Sequence, residues 1–121
     1  MPSNSETILT QNVHPGDSSI ETVTGEKYKG DGYYGRSDGF HSVQYNLTSF
    51  IGSVKMQATL AIEPTDDDWF DIPGTLHTSS FADADAGNGG HIFNFVGNYV
   101  WVRVVAFNWT DGAVNSVYLN H

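Results

Sequence analysis

The sequence contains no cysteine. A disulfide framework, a thiolate metal site and a cysteine nucleophile are therefore excluded. Basic residues are scarce, with 5 Lys and Arg against 14 Asp and Glu in 121 residues and a formal net charge of -9. Neutralising phosphates requires clustered Lys and Arg, so nucleic acid is not an expected partner. Apolar runs fall well short of the ~20 residues that span a bilayer. The N-terminus also lacks the basic start and apolar stretch of an export signal, so a soluble chain without a membrane partner is expected. Helical periodicity is missing too: no segment repeats its apolar residues at the 3.6-residue spacing for long enough to predict a helix.

What is present is strand grammar. Residues 99–108 are almost all β-branched or aromatic, and Tyr99, Trp101, Val105, Phe107 and Trp109 alternate with Val100, Val102, Val104 and Ala106. Both faces are apolar, as in a strand inside a sheet, and Arg103 is the one charge among them. Thr110, Asp111 and Gly112 favour a turn, so residues 113–119 are expected to return as the second arm of a hairpin. Residues 53–62 hold a period of two over ten positions, with Val54, Met56, Ala58, Leu60 and Ile62 on one side. Residues 40–50 alternate in the same way, and Phe50, Ile51 and Gly52 connect the two runs. Shorter strands are expected at residues 20–24, 75–81 and 91–96. Residues 1–19, rich in Ser, Thr, Asn and Pro, read as an extended arm with at most one short strand near residues 7–9. The arm either folds back on its own domain or reaches a neighbour. Residues 20–121 then form a single domain, an all-β two-sheet sandwich of about seven or eight strands with jelly-roll-like topology.

Candidate chemistry is sparse. Asp66, Asp67 and Asp68, beside Glu63, read as a solvated acidic loop, because three consecutive residues on an extended backbone cannot all face one ion. Asp83, Asp85 and Asn88 depart from the calcium-loop pattern, which needs an oxygen donor at its fifth position and a Glu at its twelfth, where this chain has Gly87 and Asn94. The histidines His14, His41, His77, His91 and His121 show no metal-ligand spacing, and the serines show no nucleophile elbow. No catalytic residue, metal or cofactor is expected. Asn46-Leu47-Thr48 and Asn108-Trp109-Thr110 match the N-glycosylation acceptor, but both fall at strand ends without an export signal. The remaining candidates are aromatic. Tyr33, Tyr34, Trp69 and Phe70 sit in or beside loops, where flat rings stack on a sugar, pack on another subunit or close the ends of the sandwich.

One resemblance extends over about four fifths of the chain. The segments VKMQATLAIEP (54–64), DDWFDI (67–72) and FNFVGNYVWVRVVAFNWTDGAVNSVYLNH (93–121), with GYYGRSDGFHSVQYNLTSF (32–50) more weakly, resemble small structural proteins of tailed bacteriophages, notably those of marine and cyanobacterial hosts. The resemblance implies a non-enzymatic β-sandwich built into the virion as a capsid decoration, neck or tail-fibre component. It also implies synthesis in the host cytoplasm, contacts with other virion proteins and a homo-oligomer, for which a trimer is one form. It carries no catalytic or ligand residues with it. The alternative is a carbohydrate-binding or receptor-binding module whose stacking platform is Tyr33, Tyr34 and Trp69.

Overall fold

Two strands of 20 residues each, lying antiparallel along their whole length, carry the architecture. The computed structural model describes residues 5–17, 19–33, 39–80 and 85–120. In chain order the strands are β1 (Ser5–Leu9), β2 (Asn12–Val13), β3 (Glu21–Thr24), β4 (Tyr28–Lys29) and β5 (Phe40–Thr59). They continue with β6 (Phe70–Asp71), β7 (His77–Ser79), β8 (Gly89–Val96) and β9 (Trp101–Asn120). Short 3-10 turns occupy Asp66–Asp68 and Asp85–Gly87. The all-β expectation holds.

β5 and β9 are the central pair. β8 lies along the first half of β5 and β7 and β6 along its second half, while β1 and β2 flank the second half of β9 and β3 and β4 its first. Two halves result, each four strands wide, but hydrogen bonding passes through both long strands, so the nine strands of the described residues form one sheet. The sequence suggested two sheets; β5 and β9 instead bend together without ending. β5 passes through Ser49 at φ 50° and β9 through Asn108 at φ 50° and Gly112 at φ 84°, and the register slips between Thr48 and Ser53. Bulges of this kind bend and twist a strand pair while keeping most of its hydrogen bonds.

The bend also corrects the expected hairpin. Residues 113–119 pair with β5 and β1, not with residues 99–108, because Thr110 to Gly112 continue the strand through a bulge. Likewise the runs 40–50 and 53–62 are one strand that stops at Thr59, leaving Leu60 and Ile62 exposed beyond it. The shorter run 75–81 contributes only His77–Ser79. β2 and β4, two residues each, were too short to leave a periodic signal. In the segment read as an arm, β1 is bonded to β9 of its own domain and places Ile8 in the core.

The sheet doubles back so that both halves share one apolar cluster. Val43, Tyr45 and Leu47 from one half of β5 join Val54, Met56 and Ala58 from the other, and Val102, Val104 and Ala106 join Val114, Val117 and Leu119 across the bend in β9. Tyr45 spans the core: fully buried, it donates its hydroxyl to the carbonyl of Thr75 at 2.9 Å. Thr75, equally buried, accepts from the Met56 amide at 3.1 Å and donates to the Ile72 carbonyl at 2.7 Å. Burial pushes the Tyr45 phenol far above its ordinary value, so it stays a neutral donor.

Two substitutions test this architecture. A Cβ at Gly112 would overlap the Ser49 carbonyl, in a backbone region L-residues avoid. Gly112→Ala is expected to lose about 2–4 kcal/mol in a urea melt, combining αL strain with overpacking. Tyr45→Phe is expected to cost about 1–3 kcal/mol by leaving a buried carbonyl short of a partner. Wild-type midpoints for both would contradict the bend and the cross-core bond.

Candidate functional site

Because the sheet folds over its own core, each half turns one face outward, and the two outer faces differ in chemistry. On the half built from β8, β5 and β9, the outward residues of β5 are Phe40, Ser42, Gln44 and Asn46, and those of β8 are Ile92, Asn94 and Val96. β9 adds Ser116, Tyr118 and Asn120, and β1 adds Thr7. Each of these described side chains is uncharged, on a chain of net charge -9. The polar ones bond to one another: Ser42 to Asn94 at 2.6 Å, Gln44 to Asn46 at 2.7 Å and Asn46 to Ser116 at 2.9 Å. Phe40, Ile92 and Val96 stay exposed by 63–66% and Tyr118 by 42%.

The opposite outer face is cationic and aromatic. Cross-strand pairing sets Asp71, Gln57 and Arg103 in one row and places Lys55 beside Val105. Lys55 reaches Asp71 at 2.9 Å and lies over the Phe107 ring, while Gln57 donates to Asp71 at 3.0 Å and accepts from Arg103 Nε at 2.9 Å. The Arg103 guanidinium then rests on the Trp69 ring, 4.2 Å from its centroid. Lys27 lies over Trp101 and Lys29 over Tyr33, each 4.6 Å from the centroid, and Tyr33 packs against Trp101 at 5.1 Å. Four of the 5 basic residues thus gather here, each on an aromatic ring. Burial pulls the Arg103 guanidinium below its ordinary value, and the Asp66 carboxylate pulls it back up.

The acidic loop is what delivers Trp69. Trp101 Nε1 donates to the Ile62 carbonyl at 2.9 Å, tying the loop's start to β9. Thr65 donates its amide to the Asp68 carboxylate at 2.7 Å and its carbonyl accepts from the Asp68 amide at 3.1 Å, closing the 3-10 turn. Trp69 then re-enters extended backbone and lies half-buried over Arg103. Between this loop and the connection from β3 to β4 lies a cleft of about 480 Å³, lined by Gly25, Glu26, Lys27, Pro64, Asp66, Trp69 and Arg103.

The aromatic candidates do not form one platform. Trp69 and Tyr33 share the cationic face, whereas Phe70 packs edge-on against Tyr99 at 5.6 Å, beside the His41, Phe95 and Tyr99 rings that close one end of the core. Tyr34 and the acidic candidate Asp83 lie outside the described residues, as does His121. The solvated reading of Asp66, Asp67 and Asp68 fits their exposure. Sequence spacing missed one convergence: His14, Asp17 and Glu21 bring ligand atoms within 4.8 Å of one another. These atoms are engaged inside their own loop. His14 accepts from the Gly16 amide through Nδ1 and donates through Nε2 to the Ser19 carbonyl, while the Ser19 hydroxyl contacts Asp17 at 2.5 Å and Glu21 at 2.8 Å.

No protein-family model and no curated protein matches this chain. Among solved structures it is similar to the SPBc2 prophage-derived protein YomS, with a TM-score of 0.55 and 14% identity over 98% of this chain and 90% of that one. It is also similar to CBM29_1, a family 29 carbohydrate binding module from Piromyces equi, with a TM-score of 0.48 and 12% identity over 100% and 93%. At these identities the likeness is one of fold: the chain shares the architecture of a prophage-derived protein.

Asp71 gives the cationic face a pH signature. Hydrogen bonds from Gln57 and Lys55 hold its carboxyl below the ordinary Asp value. A lowered folded-state value stabilises above the unfolded pKa, about 3.9, and that contribution is lost as pH falls through the folded one. Asp71→Asn is therefore expected to be less stable than wild type at neutral pH, with the gap closing below about pH 4. Thermal melts across pH 2–7 check this, and a gap that does not change with pH would contradict it.

Proposed function

We propose that this chain is a non-enzymatic virion structural protein of a tailed bacteriophage, a capsid decoration, neck or tail-fibre component, that assembles through its neutral outer face with further copies of itself. The uncharged face carries the reading. Copies of a chain with net charge -9 repel each other unless they meet where charge is absent. On this face Phe40, Ile92, Val96 and Tyr118 offer apolar area. The amides and hydroxyls between them are already paired, so covering them strands few polar groups. An uncharged face can meet a second copy of itself across a two-fold axis without placing like charges opposite each other. The fold likeness to a prophage-derived protein supports a phage origin, with the virion as its location and other virion proteins as its remaining partners. Light scattering after size exclusion is expected to give a multimer, and Ile92→Asp with Tyr118→Asp a folded monomer. A wild-type chain that stays monomeric and is missing from purified particles would refute the reading.

A second reading has its own observation. The gathering of cations on aromatic rings around an open cleft favours a carbohydrate-binding or receptor-binding module.

A further inference from the structure

We propose that the cleft over Arg103 binds a neutral saccharide, an inference that rests on the second reading above. Its lining joins Arg103 of β9 to Glu26 and Lys27 from the β3–β4 connection and to Asp66 and Trp69 from the acidic loop. Its volume, about 480 Å³, is that of a small-ligand site.

The lining charges select the ligand class. Two carboxylates and two cations face the same space, so an anionic ligand meets Glu26 and Asp66 and a cationic one meets Lys27 and Arg103. A neutral polyol escapes both penalties. Each hydroxyl donates and accepts, so Glu26 and Asp66 take its protons while Lys27 and Arg103 donate to its oxygens. Trp69 borders the cleft with an aromatic ring, one face of which Arg103 covers, and what remains of it suits the C–H groups of a pyranose ring better than an open-chain polyol.

The site is also set in place before a ligand arrives. Arg103 is held from below by Gln57, itself bonded to Asp71, and its guanidinium lies on Trp69. Arg103 and Trp69 therefore have little side-chain freedom left to lose on binding. Lys27 lies over Trp101, which packs on Tyr33, so the cation at the cleft's edge is held as well.

A glycan array carrying neutral and acidic glycans tests the proposal, followed by titration of the best ligand by tryptophan fluorescence. The titration compares wild type with Trp69→Ala, Asp66→Asn and Glu26→Gln. Asp66 and Glu26 are exposed, so their variants keep the test open where Trp69→Ala fails to fold. The expected result is binding of neutral glycans, weakened by about tenfold or more in each folded variant. Binding confined to acidic glycans, or neutral binding that the variants leave unchanged, overturns the inference while leaving the second reading intact. A blank array removes the inference and, with it, the carbohydrate-binding form of the second reading.

Discussion

The pairing of β5 with β9 is the constraint from which the rest of the structure follows. Each strand is buried on one side along most of its length and hydrogen-bonded on both edges, so neither can slip by one residue without exposing a whole core face. Their bends must coincide for the same reason. Gly112 fits against Ser49 and Gly52 against Trp109, so each strand's irregularity is accommodated by the other's. One pair of strands thereby makes both walls of the core, and the seven shorter strands are edges added to it.

Folding one sheet over itself leaves two outer faces, and their chemistry follows from which half of β9 lies beneath. The first half presents Trp101, Arg103 and Phe107 outward, and the long basic side chains nearby lie along those rings instead of reaching into solvent. Its second half presents Ser116, Tyr118 and Asn120, where hydroxyls and amides pair among themselves. A protein with one neutral and one cation–aromatic face can be held in an assembly by the first while the second stays open. The two readings of function thus occupy different surfaces.

Much of the fold was legible in the sequence. The alternation of Val54, Met56 and Ala58 grouped residues that share the core because period two reports burial directly, although the same run continued to the exposed Leu60 and Ile62; in residues 99–108 both faces are apolar, so the pattern left open that Val102, Val104 and Ala106 face inward. What the pattern could not show was the difference between a turn and a bulge. Thr110, Asp111 and Gly112 have the residue types of either, and only the matching irregularity near Ser49, some 60 positions earlier, decides it. Trp109 is the instructive residue. Parity placed it on the same side as Trp101, but Asn108 at positive φ turns it inward against Phe50 and His14, while Trp101 stays on the outer face. Of the site, Trp69 and Tyr33 were visible as aromatic residues near loops. Arg103 was not, because a lone cation in an apolar strand carries no local sign that it will meet Trp69. The same limit hid His14, Asp17 and Glu21, which a chain reversal brings together.

The central claim is that β5 and β9 form one continuous bent pair around one core. Residue-by-residue amide hydrogen exchange tests it most directly. The account predicts that amides on both sides of the bend, in Val104 and Met56 as in Val117 and Tyr45, share a single slowest opening, because neither half has a core without the other. Exchange of residues 113–120 at a separate, much faster level than residues 101–107 would contradict it.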